Sequence, residues 1–218
     1  GIPHDSVLYY KAIIQISKMF ISISASEGSL AIKNHFLLKN KWINVVINWF
    51  KIAITKEYDL ENLAKPHREM DLERRDLDFL YIDTSIESAK ALAYLTKGIP
   101  LNTKYSSTFG EFGRSELVTF GNYFSILLKG LEKSTNSERY PVSLKHKINI
   151  LNENIIVALT NLSNSNVDAS LKYSLPMGYS ENKNIRIAFL KVFIEIVTNY
   201  PSLKSKDESK KLVIIDKL

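Results

Sequence analysis

Cysteine is absent from this 218-residue chain, and that absence excludes several kinds of site at once. Without thiols the protein forms no disulfide bond, no thiolate metal site and no cysteine nucleophile. Long apolar runs are missing as well, because Lys11, Gln15 and Lys18 interrupt the most apolar stretch near the start, residues 7–25. A membrane-spanning helix needs about 18 consecutive apolar residues. The sequence therefore predicts no transmembrane segment.

What is present is typical of a folded domain. The chain is 45% hydrophobic and 24% charged, with only 8 Gly and 6 Pro, which is not the composition of a disordered or fibrous protein. Its length fits one domain with a sizeable core. The chain opens on Gly1-Ile2-Pro3 with neither an initiating Met nor a signal peptide, so we expect it to be a piece of something larger.

The net charge of +6 arises from 29 basic and 23 acidic residues, and most of the basic residues are Lys scattered along the chain. Recognition of DNA or RNA requires basic residues concentrated on one face, together with stacking aromatic side chains. The pattern therefore favours solvated helix faces over a nucleic-acid partner. A basic nucleic-acid binder stays open as the weakest alternative, and it would show affinity that falls steeply with salt.

Apolar residues at steps of three and four predict six helices. The first is expected from the N-cap Asp5 to Ser24, and the second over residues 34–55. The third is expected to begin at Thr84 or Ser85 and to stop at Gly98 and Pro100. The last three are marked by the apolar stripes Leu117, Phe120, Phe124, Leu127, Leu128 and Leu131; Ile148, Leu151, Ile155, Leu159 and Leu162; and Ile187, Leu190, Ile194 and Val197.

The predicted fold class is all-α. Helices joined by short polar loops stack most simply as antiparallel neighbours, either in a helical bundle or in a degenerate HEAT/armadillo-like α-solenoid. We expect a single helical domain over residues 1–200. Residues at about 57–83 are expected to form a charged connection within it, which is either a solvated helix or a partly mobile segment. Residues 101–113 are expected to form a loop, and residues 201–218 a tail.

No catalytic, cofactor-binding or metal-binding site is predicted. The four histidines, at positions 4, 35, 67 and 146, lack the spacing that lets imidazoles share a metal. The segment 109–114, Phe-Gly-Glu-Phe-Gly-Arg, has glycines but fits no phosphate-loop pattern, and we interpret it as a flexible loop before a helix. Arg186 is expected to be structural, with bonds to nearby carbonyls or to a carboxylate such as Asp168.

Several segments in order resemble the neurofibromin family of Ras GTPase-activating proteins. The most specific segments are residues 161–168 (Asn-Leu-Ser-Asn-Ser-Asn-Val-Asp), 177–179 (Met-Gly-Tyr) and 186–192 (Arg-Ile-Ala-Phe-Leu-Lys-Val). The resemblance covers residues 36–200 and is strongest over 144–198. Its upstream matches are Asn40-Lys41 with Trp49, Arg75-Asp76-Leu77-Asp78, Gly98-Ile99-Pro100-Leu101 and Tyr123-Phe124. The Lys-, Asn- and Ile-rich character is similar to that of the fungal inhibitory regulators of the Ras and cyclic AMP pathway.

The resemblance implies that this stretch leads directly into the catalytic GTPase-activating domain. In the family, the arginine finger and the Phe-Leu-Arg signature that supports it lie downstream of this stretch. The nearest match here, Phe189-Leu190-Lys191, has Lys in place of Arg, so that role is not carried over. The family-motif residues to which we assign a structural role are Asn166, Val167, Asp168, Gly178, Tyr179, Arg186 and Phe189.

Our leading hypothesis is a non-catalytic scaffold or flanking segment of a Ras GTPase activator, itself not an enzyme and without cofactors. Its partners would be the downstream catalytic domain, Ras through the parent protein, and regulatory proteins. Its location would be cytoplasmic, or peripheral at membranes through the parent. The alternative is a free-standing HEAT/armadillo-type adaptor unrelated to Ras, which would bind a partner peptide in a concave groove.

Overall fold

The structure is a computed structural model that describes residues 6–26, 28–34, 42–98, 110–165 and 167–199. For residues 29, 30, 34, 110–119, 168 and 199 it describes the backbone alone. In these ranges all regular structure is helical, which confirms the predicted all-α class. The helices are α1 Val7–Ala25, α2 Ser29–Asn34, α3 Trp42–Ile54, α4 Leu60–Leu63, α5 Leu72–Thr96, α6 Gly110–Ser134, α7 Val142–Ser165, α8 Val167–Ser174 and α9 Lys183–Asn199.

Helices α5 and α7 form the centre of the molecule. They pack against each other; α1 and α3 cover other sides of α5, while α6, α8 and α9 pack on α7. Contacts therefore run in the order α1, α5, α7, α9. One hydrophobic core extends through this stack, and its largest fully buried side chains include Tyr10, Phe20, Phe50, Ile82, Leu92, Phe124, Leu127, Leu131 and Leu144.

The predicted stripe of the fifth helix is confirmed, since Ile148, Leu151, Ile155, Leu159 and Leu162 are all fully buried in α7. Of the stripe predicted for α6, Phe120, Phe124, Leu127 and Leu131 are buried and Leu128 is half-buried, while the side chain of Leu117 lies outside what the structure describes. The first helix is also confirmed in place, although its N-cap is Ser6, whose side chain accepts a 3.1 Å bond from the Tyr9 amide. A serine oxygen at this position satisfies an amide that has no partner within the helix.

The second predicted helix, residues 34–55, is confirmed over α3, Trp42–Ile54, and Asn34 belongs to the short helix α2. The intervening residues 35–41 lie outside the described ranges, as do residues 101–109 of the predicted loop. Residues 110–113 of that loop belong to α6 instead, so that helix begins before Arg114.

The predicted start of the third helix at Thr84 or Ser85 is wrong, since α5 begins at Leu72 with Asp71 as its N-cap. Thr84 and Ser85 lie buried in mid-helix, where their hydroxyls donate bonds of 2.7 and 3.0 Å to the carbonyls of Leu80 and Tyr81. A hydroxyl that bonds the carbonyl one turn back needs no outside partner, so it can be buried. The same residue types that cap helices are therefore core residues here.

Two features of the backbone depend on glycine. At the end of α5, Gly98 has a φ of +75°, which agrees with the predicted stop. At Gly130 on α6 the need is for space, because a Cβ built there would lie 2.5 Å from Cζ of the buried Phe50 on α3. The two helices approach as closely as they do because this position has no side chain.

Substitution of Gly130 by Ala tests that close approach. In a helix the change to Ala alone favours folding by about 1 kcal/mol. Here we expect net destabilisation of about 1–3 kcal/mol, because the methyl group must displace the buried Phe50 ring. Urea unfolding followed by circular dichroism measures the change, with Ser125→Ala on the exposed side of α6 as the matched control. A Gly130→Ala protein as stable as the control would contradict the proposed steric limit.

Candidate functional site

Lysines from neighbouring helices cap the C-termini of α3 and α5. The Lys133 ammonium of α6 donates a 2.9 Å bond to the carbonyl of Ile54, the last residue of α3, and a second bond to the carbonyl of Lys56. Lys33 of α2 donates a 3.0 Å bond to the carbonyl of Lys97, just beyond α5. The last carbonyls of a helix lack partners within it and attract positive charge. Each lysine therefore fastens one helix end to another helix.

We call the cap at Lys133 the lysine joint, formed by Lys133, the Ile54 and Lys56 carbonyls, Tyr58 and Tyr140. The Lys133 ammonium lies 4.1 Å from the centre of the Tyr58 ring, and the Tyr140 hydroxyl donates to the Lys133 carbonyl. Burial lowers the pKa of Lys133 to about 8, opposed by the negative charges of Glu57 and Asp78. Burial also raises the pKa of the Tyr58 hydroxyl, with Tyr140, Asp78 and Asp83 adding to the effect.

A pocket of about 440 Å³ opens beside the lysine joint. Its lining includes the cations Lys56, Lys133 and Arg139 with the carboxylate of Glu57. The Lys133 amine is engaged by two carbonyls and an aromatic ring rather than aimed at an open position. A catalytic lysine needs a free lone pair within reach of a reacting atom, so the arrangement is suited to holding helices together.

A second set of polar contacts, the α5 N-terminal network, comprises Asp59, Asn62, Asp71, Arg74 and Asp78. The Asn62 side-chain amide pairs with the backbone of Asp71 in both directions, donating at 3.0 Å and accepting at 2.8 Å. The Asp59 carboxylate caps α4 by accepting a 2.9 Å bond from the backbone N–H of Asn62. The Asp71 carboxylate caps α5 by accepting a 3.1 Å bond from the backbone N–H of Arg74. The network fixes α4 against the start of α5.

Asp78 is the buried charge of this network. Its side chain is fully buried, and it accepts a 3.1 Å bond from the Asp59 backbone amide and pairs with Arg74 at 3.0 Å. Burial raises the pKa of this carboxyl, while the Asp59 amide and the Arg74 charge act against the rise. Arg74 also donates a 2.8 Å bond to the Glu57 carbonyl, so one guanidinium links the chain before α4 to α5. The charged stretch 57–83, which was expected to be a solvated helix or a partly mobile connection, thus contains a fully buried carboxylate paired with a partly exposed arginine.

Some of the residues that carry the family resemblance lie close together at the turn before α9. Arg186 donates to the carbonyls of Ser180 and Glu181, the latter at 3.1 Å, so its bonds go to carbonyls near in sequence. Asn182 and Asn184 donate bonds of 3.2 and 2.9 Å to the side chain and the carbonyl of Thr135 at the end of α6. These contacts set the angle at which α9 leaves the turn.

The other motif residues are placed separately. A Cβ built on Gly178 would lie 3.0 Å from the ring of Phe189, so the turn and α9 are in close contact there. Val167 is buried in α8, whereas the Tyr179 ring is 83% exposed. The position of Asn166 and the side chain of Asp168 lie outside what the structure describes.

Helix α9 presents an apolar stripe to solvent, which we call the α9 stripe: Ile187, Leu190, Ile194 and Val197. The stripe marks the position of the helix correctly, but it is not the side that faces the core. The residues that pack on α7 and on the turn before α9 are Ile185, Ala188, Val192 and Ile196. Both sets have helical spacing, so periodicity alone could not decide which one the core would take.

Among the described side chains, no group of three or more His, Asp or Glu residues is placed to hold a metal ion. None of the helices in the described part of the chain is long and apolar enough to span a membrane.

Sequence reasoning missed Lys133, Asn62 and Asp78 as structural centres. Lys133 and Asn62 gave no signal beyond their polarity. Asp78 could have been noticed, because it stands four residues after Arg74, the spacing of a helical ion pair, and four before the apolar Ile82 on the same helix side.

Substitution of Lys133 by Met tests the lysine joint. The change keeps the apolar stem but leaves two carbonyls without a donor, and we expect a loss of about 1–3 kcal/mol in unfolding free energy at pH 7. Because the pKa of Lys133 is lowered to about 8 from 10.5, the unfolded chain binds more protons between those values, and folding stability rises with pH there. The deficit of Lys133→Met should therefore grow from pH 7 to pH 9.5.

Urea midpoints at the two pH values measure this deficit, and Lys129→Met, at an exposed position one turn earlier on α6, is the matched control. Equal stability of the two variants would rule out the joint as a fastening point. A deficit that shrinks with rising pH would contradict the lowered pKa.

Comparison with known proteins finds two similar chains from Saccharomyces cerevisiae. Inhibitory regulator protein IRA1 is 64% identical over 208 residues, which cover 95% of this chain and 7% of the relative. Inhibitory regulator protein IRA2 is 54% identical over 216 residues, which cover 99% of this chain and 7% of the relative. No protein-family model matches, and no solved structure does. The chain spans about 7% of the length of these relatives, and it is strongly homologous, over nearly all of its own length, to one segment of the inhibitory regulator proteins IRA1 and IRA2.

Proposed function

We propose that this chain is a non-catalytic helical support within a larger GTPase activator that acts on Ras. The observation that carries the proposal is the 64% identity to Inhibitory regulator protein IRA1 across 95% of the chain, an alignment that covers 7% of that much longer regulator. The resemblance of residues 161–168, 177–179 and 186–192 to the neurofibromin family supports a position directly before the catalytic domain. By this proposal the chain lowers Ras signalling only through the parent protein.

The architecture supports a mechanical role. A support must hold its shape under load from attached domains, and here α5 and α7 are joined by the core, by the Lys147–Asp83 ion pair at 2.6 Å and by a 2.8 Å bond from Asn161 to the Ala93 carbonyl. The lysine joint connects α6 to α3, and the α5 N-terminal network connects α4 to α5. Buried polar contacts of this kind have one favourable geometry, because misplacing them leaves polar groups unsatisfied.

The chemistry of GTPase activation is assigned to a part of the parent outside this chain. An arginine finger acts by inserting a guanidinium beside the nucleotide. Of the segment Phe189-Leu190-Lys191, Phe189 is half-buried while Leu190 and Lys191 lie on the exposed side of α9, within a regular helix. The proposed partners are the downstream catalytic domain, Ras through the parent protein, and regulatory proteins, and the proposed location is the cytoplasm or the membrane periphery.

A GTP hydrolysis assay with purified Ras tests this function. Three proteins are compared: this chain alone, the downstream domain of the parent alone, and the two joined as in the parent. We expect no stimulation by this chain, stimulation by the downstream domain, and a higher thermal midpoint of that domain when the two are joined. A joined protein carrying Asn62→Ala, with Asn122→Ala at an exposed site as its control, should lose part of that gain.

Substantial stimulation by this chain alone would overturn the non-catalytic assignment. A downstream domain with the same activity and thermal midpoint in both forms would favour the adaptor alternative, in which appended sequence brings no stabilisation.

A further inference from the structure

The α9 stripe is an uncovered apolar surface at one end of the helix stack. Its four side chains follow at steps of three, four and three residues and are between 39% and 59% exposed. The opposite side of α9 is already buried on α7 and the preceding turn. A helix with apolar residues on two sides is normally covered on both, because contiguous exposed aliphatic side chains are unfavourable in water.

The chain itself contains a segment suited to this surface. Residues 212–215, Leu-Val-Ile-Ile, form an uninterrupted apolar run, and Leu218 follows three residues later. The stretch between α9 and this run is polar, with Lys204, Lys206, Asp207, Glu208, Lys210 and Lys211. Four consecutive large aliphatic residues are rarely left in water, so this run also needs a partner surface.

The connection is long enough. Twelve residues, 200–211, separate the end of α9 at Asn199 from Leu212, and an extended chain of that length reaches about 40 Å. Helix α9 has 17 residues, which corresponds to about 25 Å. Starting from the C-terminal end of α9, the apolar run can therefore reach any point along the α9 stripe.

Tethering favours this segment over a second molecule. A segment joined by a short flexible connection has an effective concentration in the millimolar range. Another copy of the chain at micromolar concentration competes poorly for the same apolar surface. Sequential elements also tend to be neighbours in space, which again favours the chain that directly follows α9.

We propose that the apolar run at residues 212–215 packs on the α9 stripe of the same chain and covers it. By this inference residues 201–218 are not a free tail. In this proposal they bring the polypeptide back across α9, so that the α9 stripe is covered by the chain's own sequence. The proposal concerns packing within this chain and does not depend on any role in Ras regulation.

Cysteine labelling is a direct test, because the natural chain has no cysteine and each introduced thiol is the sole reactive group. Leu190→Cys and Ile194→Cys place a thiol in the stripe, and Val142→Cys places one at an 88% exposed position of α7 as a control. The measurement is the rate of modification by a maleimide at pH 7 in the full chain. Circular dichroism confirms that each variant keeps its helical content.

The exposure seen at Leu190, 54%, would by itself make its thiol less than about twofold slower than the control. If the run covers the stripe, labelling at 190 and 194 should be at least about tenfold slower. A second set of variants adds Leu212→Ser, Ile214→Ser and Ile215→Ser, and these changes should restore rapid labelling at 190 and 194 without changing the rate at 142.

Three outcomes would overturn the proposal. The first is labelling at 190 and 194 as fast as at 142. The second is slow labelling that persists after the three serine substitutions, which would mean that another part of the chain covers the stripe. The third is protection that increases with protein concentration, which would identify a second copy as the occupant.

Discussion

The burial of α5 is the constraint on which the rest of the structure depends. This helix is covered by α1, α3 and α7, so nearly half of its 25 residues are buried. Several of the buried residues are polar, among them Thr84, Ser85, Ser88 and Thr96, and each hydroxyl donates to a carbonyl of α5 itself. Because these four hydroxyls are satisfied within α5, they can be surrounded by apolar neighbours without partners on other helices.

Polar contacts at helix ends satisfy backbone groups of α5 or of the helices around it. Lys133 and Lys33 supply cations to the C-terminal carbonyls of α3 and α5, while Asp59 and Asp71 supply acceptors to the N-termini of α4 and α5. Each of these side chains satisfies groups that a helix cannot pair internally. Composition suggests that the charged side chains are solvated, but some of them fix helices relative to one another. This arrangement suits the proposed role as a support.

Periodicity in the sequence predicts helices well where one side alone is apolar. The stripe of α7, from Ile148 to Leu162, is identified correctly for that reason, and so is Phe120 to Leu131 in α6. In α9 periodicity does not identify the buried face, because Ile185 and Ile187 begin two competing apolar stripes. In residues 57–83 it does not reveal the buried Asp78, because charges of both signs surround that residue in the sequence. A residue such as Asn62, which pairs with the backbone of Asp71, leaves no periodic signal because its partner is set by a turn.

The sequence by itself determined the all-helical class, the position of most helices and the homology to the inhibitory regulators, because apolar spacing and residue identity are local properties of the chain. Only the tertiary structure decided which face of α9 enters the core, that Thr84 and Ser85 lie inside a helix rather than at its start, and that Lys133 caps a helix 77 to 79 residues away. These choices depend on which surfaces meet in three dimensions. Burial of apolar surface, together with the cost of burying polar groups without partners, selects among faces that the sequence leaves equivalent.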